Sequence, residues 1–319
     1  MFQPVQRQTV DRLFTKSINV RGIGLDRKFK KGLTVAGAVL GTTFAVMSYI
    51  AKKQRDNDKY KNDPSEQNPM YKKKVIFVED ENDPMNADGK CGHLEAVGES
   101  HYTPTFYEKY VKRGIDVALS FGGMVVLAPV YAVTAIAIKL DSPGPVIFKQ
   151  KRIAQQTGYF TLYKFRSMKT ASDVPTHMLK NGGKTDNFTR IGKFIRKTSI
   201  DELPQCWSIF KGDMSIIGPR PALWNQDYLT AERDKYGAND VKPGLTGLAQ
   251  ISGRDELEIP EKARFDGVYS DALKKSSISG LLMDLKIFAA SVGAVLKSSG
   301  VVEGGTGMIA KETEKAKEL

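Results

Sequence analysis

Two adjacent carboxylates, Asp201 and Glu202, sit in the segment Thr198-Ser199-Ile200-Asp201-Glu202-Leu203-Pro204-Gln205. Neighbouring acids raise each other's cost of ionisation. One can then be tuned or held protonated while the other serves as nucleophile or metal ligand. A basic stretch, Lys211-Gly212-Asp213-Met214-Ser215, follows shortly, and then Gly218-Pro219-Arg220-Pro221. Fixed cations beside paired acids are what chemistry on a phosphate requires. The combination points to an enzyme that handles phosphate esters.

Other stretches supply further cations. In Tyr159–Arg166, Lys164 and Arg166 stand two apart on a strand and share one face. They read either as an anion-facing pair or as a solvated basic edge that discourages aggregation. Arg220, between Pro219 and Pro221, loses little entropy on clamping a phosphate, although the tetrapeptide also reads as a rigid turn. Lys242-Pro243-Gly244-Leu245-Thr246-Gly247 and Ser252-Gly253-Arg254 are loops able to approach a nucleotide.

The elements that must position these groups follow from periodicity. Leu203, Trp207 and Phe210 mark one helix, and Ile191, Phe194 and Ile195 another. Asp201 is a good N-cap for the first, and Ser199-x-x-Glu202 matches a capping box. Pro204 favours a helix capped near Asp201. A cap accounts for Asp201 without chemistry and for Glu202 less well. A helix N-terminus also favours phosphate nearby. Val146–Gln150 and Tyr159–Arg166, around the turn Gln155–Gly158, read as a β-hairpin.

A chain of 319 residues has room for one catalytic domain with accessories. Its net charge of +12 implies an anionic partner: nucleic acid, an acidic membrane or a phosphorylated substrate. The cations are scattered around apolar runs and turns without a nucleic-acid module, which argues against nucleic acid. The two cysteines, Cys91 and Cys206, argue against a disulfide framework and for a reducing compartment. Cys91-Gly92-His93 lacks partners at metal-ligand spacing.

Two apolar runs suggest a membrane. Leu33–Ala51 is uncharged and bracketed by basic residues, and roughly twenty residues at 1.5 Å rise cross a bilayer. A buried soluble helix is the alternative. Val117–Ile138 is also uncharged, but Ala128-Pro129 breaks it midway, and both of its flanks are basic. Equal positive charge at both ends favours a re-entrant helix–break–helix with both ends in one compartment, over a Pro-kinked spanning helix. The expected fold is α+β and mainly helical, with that re-entrant element, a small β-hairpin, surface helices and an extra N-terminal transmembrane helix. The expected divisions are a basic segment 1–31, a transmembrane helix 32–52, a flexible linker 53–105, the re-entrant helix 106–141 and a catalytic domain 142–319.

Together the motifs resemble the bacterial sugar transferases, or monotopic phosphoglycosyl transferases, over roughly Lys109–Glu303. The resemblance rests on Lys112-Arg113-x-x-Asp116, Tyr163-Lys164-Phe165-Arg166-Ser167-Met168, Asp201-Glu202-Leu203-Pro204-Gln205, Lys211–Pro221, Lys242–Gln250 and Asp284-Leu285-Lys286. It implies transfer of a sugar-1-phosphate from a UDP-sugar to a polyprenyl (undecaprenyl) phosphate, with release of UMP and Mg²⁺ as cofactor. Asp201 would be the nucleophile and a Mg²⁺ ligand, and Glu202 would assist the acceptor or support the acid pair. Arg220, Lys164, Arg166, Arg196, Pro219, Pro221 and Arg254 would form the phosphate site. The resemblance also implies a bacterial inner-membrane protein with its catalytic domain facing the cytoplasm, and leaves room for a homodimer. The alternative is an inactive membrane scaffold of a polysaccharide assembly complex, against which the intact acid pair argues. The chain departs from the family at Ala128-Pro129, where Ser-Pro is common, and in a longer connection from Asp266 to Asp284. Met1 to about Thr105 matches nothing in the family.

Overall fold

The computed structural model describes residues 27–80, 92–169, 188–253 and 257–296. The chain divides into two compact units, 1–50 and 51–319. In the first, the described residues belong to helix α1 (Arg27–Asp56). Its side chains Val35, Val39, Val46 and Tyr49 are exposed. The hydroxyls of Thr42 and Thr43 donate to the carbonyls of Ala38 and Val39, which satisfies them within an apolar helix. The helix is long and apolar enough to cross a membrane, as the sequence suggested.

The second unit is mainly helical with three two-stranded sheets among its described residues. Its first part corrects the expected flexible linker at 53–105. Helix α2 (Lys59–Asn62) is followed by strands β1 (Lys73–Glu79) and β2 (Gly92–Glu99), paired antiparallel. Val75-Ile76-Phe77-Val78, an apolar island in that stretch whose sequence reads as an isolated strand or a short docking peptide, lies in β1 and is fastened to the domain. The amide of Val75 donates to Asp234 at 2.9 Å, and Phe77 meets Tyr228 edge-on at 5.3 Å. Ser100 donates to Asp240 at 2.6 Å, and Asn68 to the Thr157 carbonyl at 2.5 Å. Polar and aromatic anchors replace the apolar mass that a sequence reading looks for.

A π-helical turn, Tyr107–Lys112, leads into α3 (Arg113–Val126), and α4 (Ala128–Asp141) follows. The pair bends by 60° at a break on Leu127, one residue ahead of Ala128-Pro129. Pro129 therefore opens α4 rather than kinking a helix from within. There its missing N–H leaves no intrahelical bond unmade. Side chains along both helices, including Leu119, Val126, Val133 and Ile136, are exposed.

Strands β3 (Ile147–Ile153) and β4 (Tyr159–Phe165) form the expected antiparallel hairpin. Short helices α5 (Arg190–Lys197) and α6 (Gln205–Lys211) follow. Next come β5 (Ser215–Ile217), α7 (Asp227–Lys235) and β6 (Gly244–Thr246), with β5 and β6 parallel. Helices α8 (Leu248–Ser252), α9 (Ile259–Lys275) and α10 (Ser277–Leu296) complete the unit.

Three small cores set the geometry. Phe160, Leu162, Ile209 and Met214 join the hairpin to α6. Ile138, Phe165 and Ile195 join α4 to the hairpin and α5. Tyr107, Tyr269, Leu273 and Ile287 join the start of the bent pair to α9 and α10. Helix α10 is also long and apolar enough to cross a membrane. Its inner face carries Ile287 and the buried Asp284, while Ile278, Leu282, Leu285 and Val292 are exposed at helical spacing on the outer face.

Candidate active site

The acid pair lies on a 3₁₀ turn, Ile200–Glu202, preceded by Ser199 in the left-handed region (φ 56°). Helix α6 begins after Pro204, so the expected N-cap at Asp201 and capping box at Ser199 do not form. The reason is local. A cap on Asp201 needs an N–H two or three residues on; Pro204 has none, and the Leu203 amide is already bonded to the Ile200 carbonyl. Apolar neighbours pin the turn instead. Ile200 and Leu203 pack against the Ile138–Phe165–Ile195 core, and the Tyr131 hydroxyl on α4 donates to the Leu203 carbonyl.

The two carboxylates meet different surroundings. Glu202 Oε1 accepts from Lys164 Nζ at 3.0 Å and from Arg220 Nη2 at 2.8 Å. Burial by itself would raise its pKa, but Arg220 and Lys164 outweigh that and hold Glu202 ionised well below the usual range. Asp201 is 7% exposed, and among the described residues its carboxylate receives no hydrogen bond. Burial pushes its pKa up to about 6, opposed by Lys164 and reinforced by the charge on Glu202. Two adjacent acids with ionisation driven apart is a common signature of divided catalytic roles. Burial also lowers the pKa of Lys164, and Glu202 opposes that shift.

Most of the expected phosphate ligands gather here. Lys164 and Arg220 touch Glu202 directly, and the charge of Arg196 reaches Asp201 from α5, where its guanidinium lies 4.9 Å over the Phe188 ring. Pro219 and Pro221 act through their carbonyls, which accept from Gly244 N and from Arg152 Nη1. Gly218 and Gly244 lie so close that a Cβ on either would strike the backbone of the other segment. This contact fixes the loop that carries Arg220. It also joins two motifs that lie apart in the sequence.

Arg166 does not join the site. Its guanidinium donates to the carbonyls of Ser142 and Pro143, folding over Gly144, which has φ 117° and no room for a side chain. The Asp141–Pro145 turn takes up a cation that the resemblance had placed in the phosphate site and that strand alternation had left between an anion-facing pair and a solvated edge. Arg254 lies outside the described residues. Asp266, at 1% exposure, is ion-paired with Arg233 at 2.7 Å. Asp284 is buried as well, taking hydrogen bonds from Lys112, Tyr107 and Tyr269. Asp116 accepts from Ser215 Oγ and Ile216 N, and Arg113 donates to the carbonyls of Ile209 and Phe210 at the end of α6. These motifs are fasteners that fix the bent helix pair to the catalytic elements.

Sequence reasoning missed Arg152, whose charge is felt at Lys164 and whose side chain binds Gln150 and the Pro221 carbonyl. Its place in β3, beside the hairpin turn, was the available signal. For Mg²⁺, no three acidic, histidine or cysteine side chains converge among the described residues. Glu202 is committed to two cations, which leaves Asp201 as a lone carboxylate ligand. Mg²⁺ is commonly held by one or two carboxylates together with substrate phosphates and water. The donor set therefore fits the ion in company with a bound diphosphate.

Comparison with known proteins gives the same direction. Residues 107–298 match the family model described as bacterial sugar transferase. The uncharacterized sugar transferase EpsL of Bacillus subtilis is 36% identical over 192 residues, 60% of this chain and 90% of its own length. The exopolysaccharide production protein PSS of Rhizobium leguminosarum is 36% identical over 188 residues, 57% of this chain and 93% of its own. The UDP-glucose:undecaprenyl-phosphate glucose-1-phosphate transferase of Escherichia coli is 40% identical over 159 residues, 48% of this chain and 34% of its own. The matched stretch holds the bent helix pair, the acid pair and the fasteners between them, and on that ground the chain belongs to the bacterial sugar transferase family.

Proposed function

We propose that this protein is a phosphoglycosyl transferase that moves a sugar-1-phosphate from a UDP-sugar to a polyprenyl phosphate such as undecaprenyl phosphate. The observation that carries the reading is the split between Asp201 and Glu202. One carboxylate receives no hydrogen bond among the described residues and is pushed up to about 6 by burial, while its neighbour is held ionised between Lys164 and Arg220.

Asp201 Oδ attacks the β-phosphorus of the donor, and the bond from that phosphorus to the bridging oxygen breaks. UMP leaves with that oxygen, and an aspartyl phosphosugar remains. An oxygen of the polyprenyl phosphate then attacks the same phosphorus and the aspartyl bond breaks, giving a polyprenyl diphosphosugar and free Asp201. With a pKa of about 6, roughly nine in ten Asp201 side chains are ionised at pH 7. A carboxylate is a competent nucleophile here because cations reduce its repulsion from the diphosphate. Lys164 and the half-exposed Arg220 supply that charge, and Glu202 holds both in place. Its strong ionisation suits positioning better than proton abstraction. Mg²⁺, held by Asp201 with the diphosphate, would offset charge on the donor.

The exposed apolar side chains of α3, α4 and α10 support placement at a bilayer, with the acid pair at its surface. In this reading α3 and α4 dip into the inner membrane and return to the cytoplasm, and α1 anchors the chain. Lipid at that surface brings the acceptor headgroup to Asp201. The function is the first membrane step of building a polysaccharide or glycoprotein glycan. The test is UMP release by purified protein across a panel of UDP-sugars with polyprenyl phosphate. Release with at least one donor, dependent on acceptor for turnover, supports the proposal. No release with any donor supports the scaffold alternative.

A further inference from the structure

A cavity of about 170 Å³ lies beside the start of α3, bordered by Lys109, Lys112, Arg113, Asp116, Lys242 and Glu108, the last accepting from Tyr102 and the Thr105 amide. That is several times a water's share of about 30 Å³ and leaves room for a phosphate group. Its charges are unevenly settled. Lys112 is neutralised by Asp284 at 2.7 Å, and Asp116 Oδ1 is taken by Ser215 and Ile216. Among the described residues Arg113 donates to the neutral carbonyls of Ile209 and Phe210 and forms no ion pair, although Asp116 and Asp213 lie near enough to act on its charge. Lys242 is half-buried, and among the described residues its ammonium has no hydrogen-bond or ion-pair partner.

We infer that this cavity is a phosphate-anion site, with Lys242 and Arg113 as its principal cations and Lys109 at its rim. An unpaired, half-buried ammonium near a second cation is costly unless an anion arrives. Burial lowers the pKa of Lys242 and Arg113 lowers it further, against the opposing charges of Asp116 and Asp213. The site is separate from the acid pair. The cavity lining includes neither Asp201 nor Glu202, nor the cations Lys164 and Arg220 that hold Glu202. Lys109, Lys112 and Arg113 immediately precede the exposed apolar run of α3, and in the bilayer placement proposed above that is where a phospholipid headgroup presents its phosphate. The anion is therefore either a lipid phosphate or a free phosphate, and both carry the same chemistry.

The experiment uses the full chain in nanodiscs and follows thermal unfolding. One arm titrates inorganic phosphate into phosphatidylcholine discs; the other replaces phosphatidylcholine with phosphatidylglycerol without phosphate. Saturable stabilisation is expected in at least one arm, and which arm responds identifies the source. Lys242→Gln should weaken the apparent affinity about tenfold, the scale of one charge-assisted hydrogen bond, whereas Lys242→Arg should retain it. Lys109→Gln, at an exposed position, should weaken it less and leave the basal melting temperature unchanged. Arg220→Gln, in the acid-pair site, should not affect it. No stabilisation in either arm overturns the proposal, as does stabilisation that survives Lys242→Gln undiminished, whatever its response to Arg220→Gln.

Discussion

Replacing Asp201 with asparagine should abolish turnover and at the same time make the protein more stable. The carboxyl is pushed from an ordinary 3.8 to about 6 by burial, so ionising it in the folded state costs free energy that the unfolded chain does not meet. Below about pH 3 the group is mostly neutral in both states, and wild type and Asp201→Asn should melt together. As pH rises from 4 to 6 the unfolded chain loses this proton first, and wild-type stability falls relative to the variant. Above pH 7 the difference levels off. A shift from 3.8 to about 6 corresponds to at most about 3 kcal/mol at 1.36 kcal/mol per pKa unit. At 2–4 °C per kcal/mol for a domain of this size, the asparagine variant should melt roughly 6–12 °C higher at pH 8. The assay is thermal unfolding in detergent or nanodiscs from pH 4 to 8, with UMP release in parallel. An unchanged or lower melting temperature at pH 8, or a difference that does not vary with pH, would refute the reasoning. Wild-type turnover should also fall below about pH 6 as the nucleophile takes up a proton.

Glu202→Gln should release Lys164 and Arg220 and lower turnover about 100-fold, and it should move the acid limb of the pH profile to lower pH because a like charge beside Asp201 is gone. Asp284→Ala leaves Lys112 buried and unpaired and deprives Tyr107 and Tyr269 of an acceptor; denaturant unfolding should show a loss of about 3–5 kcal/mol. Single cysteines at Lys109 and Lys149 should be labelled from the same side of the membrane, and Pro129→Leu should shift them toward opposite sides; labelling from opposite sides in the parent chain would contradict the dip.

The sequence made some parts of this molecule readable and concealed others. Alternation in Tyr159–Phe165 and the turn at Gln155–Gly158 identified the hairpin, because a half-buried strand imposes period two whatever its neighbours are. The acid pair was visible as chemistry and the resemblance separated its two roles, but the contacts that set the two carboxylates apart were not visible. Those contacts depend on Lys164, 38 residues away, and Arg220, 18 residues away, converging on one oxygen of Glu202. Arg166 was misassigned for the same reason, since its partners Ser142 and Pro143 belong to a preceding turn. The capping box failed on one left-handed residue, Ser199, and the Asp201 cap on one missing amide, that of Pro204. The stretch before Thr105 looked unstructured because its ties to the domain are side-chain hydrogen bonds and aromatic contacts, which leave no periodic apolar trace.

Covalent capture bears most directly on all of this. Full-length protein incubated with a UDP-sugar labelled at the β-phosphate, in the absence of any lipid acceptor, should acquire one hydroxylamine-sensitive label that maps to Asp201, and polyprenyl phosphate should discharge it. A protein that releases UMP only when acceptor is present and never carries label, or carries it on another residue, would contradict a nucleophilic aspartate at this site.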